Sequence, residues 1–313
     1  MCCLFGLIDT RLRFTGKQKS KILHALATVS ELRGTDATGI AYHTGEQLCI
    51  YKRPIPGHKL KFYMRDDTRV GMGHTRMTTQ GKASKNRNNH PFRGIVRNEP
   101  FALAHNGVLY NDLALRRKLG LPKTRIETDS YIGVQLIEQK GTLDFSSLRY
   151  MAEQVEGSFT FTVLDAEDSL YIVKGDNPFC LYYFPRCGLY LYASTEEILC
   201  HAIQRISVNL GSHFTVPVKS GEILKISAKG EEQRQSFDDS KLYIHYYHSS
   251  MFGYGRRRAN FDCSMDAEQS HLDEIKSVAM AFGFTPEEID HLAAEGFSAD
   301  ELEEVLYGYG GEL

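Results

Sequence analysis

The chain has 313 residues, of which 42% are hydrophobic and 24% charged. This composition is typical of a globular protein and excludes a fibrous or largely disordered chain. No apolar run approaches the ~20 residues that a membrane span needs, and no basic segment precedes the short apolar run at the N-terminus, so neither an anchor nor a signal peptide is predicted. The seven cysteines include no C-x-x-C pair, which favours a reducing compartment. We therefore expect a cytoplasmic protein without a membrane partner.

The net charge of −2 is unevenly distributed along the chain. From Asp262 to the end, fourteen acidic side chains stand against one basic side chain, a net of −13, whereas residues 1–261 carry +11. Such asymmetry indicates a boundary between two parts of the chain. We predict a main domain over 1–240, a connector over 241–262 and an acidic three-helix tail over 263–313. The basic part has no interleaved aromatic–basic motif, so nucleic acid is not predicted as a partner.

The predicted elements begin with a buried strand over 3–8, a short apolar run. Thr15 and Gln18 form a capping-box pattern that predicts a helix. Further strands are predicted over 39–43, 48–52, 70–75, 101–105, 159–164, 170–173, 189–193 and 223–226. Helices are predicted over 130–139 and 145–155 and from near Thr195. Because strands and helices come in blocks rather than in alternation, the pattern favours an α+β fold.

The three helices of the acidic tail are predicted from their start signals. One begins near Asp266, one has the capping box Thr285 to Glu288, and one has the same pattern at Ser298 to Glu301.

Five short segments suggest chemistry when they are taken together. They are Met1-Cys2, Gly73-His74-Thr75-Arg76, Asn88-Asn89-His90-Pro91-Phe92, His105-Asn106-Gly107 and Thr128-Asp129-Ser130. Singly each is weak, since an Asn-Gly pair usually marks only a turn. In this order, and with Arg33-Gly34-Thr35-Asp36-Ala37-Thr38-Gly39, they resemble the glutaminase domain of class II glutamine amidotransferases, which belong to the N-terminal nucleophile hydrolase superfamily. The resemblance covers roughly residues 2 to 230.

The resemblance implies a four-layer αββα sandwich, here followed by a small C-terminal helical tail. It also implies that Cys2 becomes the N-terminal nucleophile once Met1 is removed. A thiolate is the reactive form of cysteine, and an α-amino group with a pKa near ~8 can serve as its base. The oxyanion formed by attack on an amide needs positioned donors. By resemblance, these are the Asn106 side chain and the Gly107 backbone N–H.

The resemblance also assigns the residues that bind free glutamine. Arg76 is expected to pair with the α-carboxylate and Asp129 with the α-ammonium group. Thr79 and Gln80 lie where further substrate contacts are expected, and Arg33 and His105 are expected to support the site. Neither a cofactor nor a metal ion is implied.

Two departures from the family pattern affect details of this assignment. Cys3 follows the nucleophile where many members have glycine, and Gln80 replaces a histidine found in some members. The change at Cys3 does not remove the proposed mechanism, whereas the change at Gln80 leaves the substrate contacts at that position open.

Three functions remain open at this point. The first is glutamine hydrolysis with release of ammonia or its delivery to an unknown acceptor, for which a separate synthase is a possible partner. The second is hydrolysis of another amide, such as a γ-glutamyl compound. The third is a non-catalytic interaction protein that keeps the fold. The sequence does not identify the acceptor, the role of the acidic tail or the oligomeric state.

Overall fold

A computed structural model of the protein describes residues 2–45, 47–242, 275–276, 279, 284–295, 297 and 302. The chain divides into two compact units, Met1–Asp239 and Ser240–Leu313. The connector predicted over 241–262 lies almost entirely outside the described residues. The three predicted domain ranges therefore stay predictions.

The first unit contains two antiparallel sheets. The seven-stranded sheet has the order β11-β9-β10-β1-β4-β2-β3, and the six-stranded sheet has the order β13-β12-β8-β7-β6-β5. The strands are β1 (Cys3–Asp9), β2 (Ala37–Thr44), β3 (Gln47–Arg53), β4 (Val70–Arg76), β5 (Phe92–Val96), β6 (Glu99–Leu109), β7 (Gly157–Leu164), β8 (Leu170–Lys174), β9 (Cys180–Phe184), β10 (Leu189–Ala193), β11 (Phe214–Thr215), β12 (Glu222–Ile226) and β13 (Glu232–Ser236).

Helices cover the outer faces of both sheets. The first unit has α1 (Gly16–Val29), α2 (Asp112–Lys118), α3 (Tyr131–Lys140), α4 (Phe145–Gln154) and α5 (Glu196–Gln204). Side chains of α1 and α5 share a core with the seven-stranded sheet. The six-stranded sheet contacts α3 through Phe92 and Tyr131, whose ring centroids are 5.5 Å apart, and α4 through Tyr171 and Phe145 at 5.9 Å. The predicted α+β fold with four αββα layers is confirmed.

Strand β1 lies in the middle of this arrangement because it is apolar on both faces. Leu4 and Ile8 point into the core between the two sheets. Phe5 and Leu7 point into the core beneath α1 and α5. Alternation along a strand places these two pairs on opposite faces. As a result, the residue that precedes β1, Cys2, is attached to a strand that is buried throughout its length.

Most of the predicted elements in the first unit are observed within one or two residues. The capping box that begins α1 is complete, with bonds in both directions between Thr15 and Gln18. The sequence interpretation missed β5, β9, β11, β13 and α2. Strand β13 is exposed and polar throughout, so it has no hydrophobic pattern and forms by pairing with β12.

The second unit contains helix α6 (Pro286–Ala294), which starts at the predicted capping box of Thr285 and Glu288. Within this unit, Lys276 Nζ lies 2.5 Å from an oxygen of Asp290. The predicted helix starts near Asp266 and at Ser298 lie outside the described residues. Across the described parts of both units, no helix has the length and apolarity required to cross a bilayer.

Candidate active site

Cys2 directly precedes β1 and lies next to the C-terminal end of β4. Cys3 pairs with Thr75 across these two strands, so Cys2 lies beside Arg76. The backbone carbonyl of Cys2 accepts a hydrogen bond of 3.0 Å from Arg33 Nε, and its Sγ donates to the carbonyl of Met77 at 3.4 Å. The thiol is half-buried. Arg33 therefore contacts the backbone of Cys2, and its role in supporting the nucleophile stays a prediction.

The electrostatic surroundings of Cys2 do not by themselves produce a thiolate. Burial raises the pKa of the Cys2 thiol, and the nearby guanidinium groups of Arg76 and Arg33 act in the opposite direction. Because the net direction is upward, the thiol needs a base to ionise it near neutral pH. An α-amino group on Cys2 itself would be such a base.

Asn106 and Gly107 lie near the end of β6, which faces β1 from the other sheet. Gly107 has a φ of +139°, a value that side-chain-bearing residues rarely adopt. A Cβ atom at this position would lie 1.9 Å from the carbonyl oxygen of Ser158 on β7. The Asn106 side chain is buried, and its Nδ2 lies 3.5 Å from Ser194 Oγ. The pair is thus an amide donor followed by a backbone N–H that only glycine can provide in this conformation.

Arg76 is buried, and the loop that follows β4 surrounds its guanidinium group. Arg76 Nη1 donates to Asn89 Oδ1 at 2.7 Å, and Nη2 donates to the carbonyls of Gly81, at 2.9 Å, and Gln80. Burial lowers the pKa of Arg76. These bonds use three of the five guanidinium N–H groups, which leaves two for another acceptor such as a carboxylate.

Asp129 is buried and is bonded to both β6 and the loop after β4. Its Oδ2 accepts from the Leu109 backbone N–H at 2.7 Å, and its Oδ1 accepts from Ser130 Oγ at 3.2 Å. The Asp129 backbone N–H donates to Gln80 Oε1 at 2.7 Å. Burial raises the pKa of Asp129, while the bonds from Leu109 and Ser130 lower it. Among the described residues, Thr79 is exposed and forms no hydrogen bond, so the structure links Gln80 but not Thr79 to the site.

His105 is one of three buried histidines, defined here as the histidine cluster: His74, His90 and His105. His74 Nε2 donates to the carbonyl of His105 at 2.9 Å, and the rings of His74 and His90 are 4.2 Å apart. His105 Nδ1 lies 2.8 Å from Ser130 Oγ. Burial lowers the pKa of both His74 and His105 to about 3. At neutral pH these rings are uncharged, and the His105 ring contacts Ser130, which directly precedes α3.

The predicted residues other than Thr79 are connected by hydrogen bonds or strand pairing. Two residues that the sequence interpretation left without a role complete these connections. Asn89, within a motif already noted, accepts from Arg76. Ser194 lies between β10 and α5, and its Oγ accepts from the Leu4 N–H at 2.9 Å. No sequence signal distinguishes Ser194 from an ordinary serine before a helix. Within the described ranges, no group of three or more histidine, cysteine, aspartate or glutamate side chains could hold a metal ion.

Comparison with known proteins adds a family assignment to this geometry. Residues 74–201 match a family described as a glutamine amidotransferase domain. The chain is 33% identical over 188 residues to a glutamine–fructose-6-phosphate aminotransferase [isomerizing] of Bacillus cereus, covering 57% of this chain and 30% of that protein. A protein of the same name from Staphylococcus aureus is 32% identical over 264 residues, covering 79% of this chain and 42% of that protein. The chain thus spans less than half the length of these relatives.

Solved structures are similar to this chain in fold. The glutamine phosphoribosylpyrophosphate amidotransferase of B. subtilis superposes with a TM-score of 0.58 at 20% identity, covering 76% of this chain and 49% of that one. A structure described as the allosteric regulatory enzyme of purine biosynthesis gives a TM-score of 0.61 at 19% identity, with the same coverage.

Proposed function

Because the chain carries a class II glutamine amidotransferase domain of the N-terminal nucleophile hydrolase superfamily, we propose that it hydrolyses the side-chain amide of glutamine and releases the ammonia or delivers it to an acceptor. The observation that carries this proposal is the arrangement around Cys2. Arg76 lies beside it on β4, and Ser194 links β1 to Asn106. A nucleophile, a carboxylate-binding cation and an oxyanion donor are the parts that this reaction needs.

The proposed reaction begins with removal of Met1, which leaves a free α-amine on Cys2. The amine accepts the thiol proton, directly or through one water, and the thiolate attacks the side-chain carbonyl carbon of glutamine. The Asn106 amide and the Gly107 N–H donate to the resulting oxyanion. Collapse of the intermediate transfers the proton to the leaving nitrogen and releases ammonia. Water then hydrolyses the thioester to glutamate and restores the thiol.

Substrate selection in this proposal depends on the two charged groups of a free amino acid. The Arg76 guanidinium, already oriented by Asn89, has N–H groups left for the α-carboxylate. The Asp129 carboxylate is oriented by Leu109 and Ser130 and would pair with the α-ammonium group. Gln80 bonds to the backbone of Asp129, so it fixes this end of the site. Thr79 is proposed as a further contact once substrate is bound.

The acceptor of the ammonia is also a matter of proposal. The curated relatives are named as aminotransferases of fructose 6-phosphate, and this chain spans 30% to 42% of their length. We propose a separate synthase as the partner that receives the ammonia.

The six cysteines within the described ranges are free thiols, which supports a reducing compartment such as the cytoplasm.

The direct test measures ammonia release from glutamine by the Cys2→Ala variant. We expect activity to fall on the order of 1,000-fold or more, since the nucleophile is lost. Cys3→Ala is the matched control because Cys3 is the adjacent thiol and points into the core; it should retain activity. Loss of activity in both variants, or in neither, would contradict the assignment of Cys2.

A second measurement separates free glutamine from other amides. Asp129→Asn should raise KM for glutamine strongly, because the partner of the α-ammonium group loses its charge. An unchanged KM would favour a substrate that lacks this group, such as a γ-glutamyl compound acylated on its amine.

Intact-mass analysis of active protein should also show loss of Met1, and full activity with Met1 retained would exclude the α-amine as base.

A further inference from the structure

Ser194 is a buried hydroxyl that contacts both halves of the proposed site. It directly follows β10 and is fully buried. Its Oγ accepts a 2.9 Å hydrogen bond from the backbone N–H of Leu4, two residues after Cys2. The same oxygen lies 3.5 Å from Asn106 Nδ2 on the other sheet. One oxygen therefore lies between the strand of the nucleophile and the amide proposed to stabilise the oxyanion.

The contact with Leu4 continues the β1–β10 ladder towards Cys2. The last paired residues of that ladder are Phe5 and Ala193. Beyond them the backbone turns into α5, and the Ser194 side chain replaces a backbone carbonyl as the acceptor for the Leu4 N–H. Unpaired buried backbone donors are costly, so this bond constrains the position of the start of β1.

Ser194 is not needed to cap the helix that follows. Thr195 is the N-cap of α5, and its Oγ1 accepts the Ile198 N–H at 3.3 Å. The Ser194 hydroxyl is thus directed to β1 and Asn106, not to its own helix.

We propose that Ser194 is a positioning residue that orients the Asn106 amide towards the oxyanion and sets its placement relative to Cys2. This inference rests on the proposed function. Asn106 Nδ2 carries two N–H groups, and Ser194 accepts one, so the other is oriented towards a further acceptor. A contact of 3.5 Å is long for a neutral hydrogen bond, but catalytic contacts often shorten when substrate binds.

The test is a double-mutant cycle on glutamine hydrolysis with Ser194→Ala and Asn106→Ala. We expect Ser194→Ala to lower kcat by about 10-fold to 100-fold with KM changed less than about 2-fold, since the oxyanion forms only in the transition state. In the Asn106→Ala background, Ser194→Ala should lower kcat less than about 2-fold, because the amide that it orients is absent. Unchanged kcat in Ser194→Ala, or an equal loss in both backgrounds, would overturn the inference.

Thr195→Ala is the matched control. It removes the adjacent hydroxyl, which caps α5 and is not bonded to Asn106. It should lower the melting temperature and leave kcat unchanged; a loss of kcat equal to that of Ser194→Ala would show an effect of α5 stability and overturn the inference. If Ser194→Ala does not fold, Ser194→Cys enters the same cycle, because it keeps a similar volume with a weaker acceptor.

Failure of the proposed function is a separate outcome. If Asn106→Ala alone leaves kcat unchanged, Asn106 is not the oxyanion donor, and the premise of the inference is wrong. If Asn106→Ala lowers kcat and Ser194→Ala does not, only the role of Ser194 is wrong.

Discussion

Acidification is expected to destabilise this protein through the histidine cluster, and the sign follows from the direction of the pKa shifts. Burial lowers the pKa of His74 and His105 from 6.5 to about 3 in the folded chain. Between these two pH values the unfolded chain binds more protons than the folded chain. Stability therefore falls as pH falls through this range and is fully restored above about pH 7.

The size of the expected decrease in the free energy of unfolding follows from the same pKa shifts. For one histidine whose pKa is about 6.5 unfolded and about 3 folded, lowering the pH from about 7.5 to about 5.5 lowers the free energy of unfolding by about 1.4 kcal/mol. His74 and His105 together contribute about 3 kcal/mol. The pKa of His90 is also lowered by burial, and neither of its ring nitrogens has a hydrogen-bond partner among the described residues, so His90 adds to the effect.

Buried carboxyl groups act in the opposite direction. Burial raises the pKa of Asp129, so its protonation in the folded state would offset some of the loss. The pH dependence of wild-type stability consequently includes contributions from groups outside the histidine cluster. Comparison with a variant isolates the contribution of one histidine.

The assay is urea unfolding of the wild type and of His74→Gln at about pH 7.5 and at about pH 5.5. Glutamine keeps an N–H donor for the His105 carbonyl but does not titrate. We expect the variant to be less stable at both pH values and its loss on acidification to be smaller than that of the wild type by about 1.4 kcal/mol. His201→Gln, which removes an exposed histidine on α5, should leave the loss unchanged. An identical loss in wild type and His74→Gln would refute the reasoning.

Three further substitutions test the geometry of the site. Gly107→Ala should abolish activity and lower the melting temperature, because its Cβ would overlap the Ser158 carbonyl oxygen at 1.9 Å; a fully active, stable variant would contradict the described backbone. Asn89→Ala should raise KM for glutamine about 10-fold with little change in kcat, since Arg76 loses the acceptor at 2.7 Å that orients it; steady-state kinetics check this, and an unchanged KM would count against it. Arg76→Lys keeps the charge but loses the planar group, so KM should rise even more; equal kinetics with wild type would exclude Arg76 as the carboxylate ligand.

The order of elements in the first unit could be predicted from the sequence because it depends on local patterns. The capping box of Thr15, the apolar run of β1 and the apolar runs of the other central strands involve residues close in the chain. The four layers follow from the resemblance and are present in the structure. Edge strands were harder to predict, since β13 has no apolar face and exists only because β12 is beside it.

The sequence by itself determined the motifs that bear the proposed chemistry, because a nucleophile, an Asn-Gly pair and an arginine after a strand are each recognisable in a few consecutive residues. Only the tertiary structure decided how they are oriented. Asn89 became the partner of Arg76 through a loop, and Ser194 became the link between Leu4 and Asn106, which are 190 and 88 residues away from it in the chain. No local pattern encodes such contacts. They arise because β10 pairs beside β1 while the second sheet packs against the first, so a hydroxyl at the end of one strand reaches a backbone N–H and a side-chain amide at once.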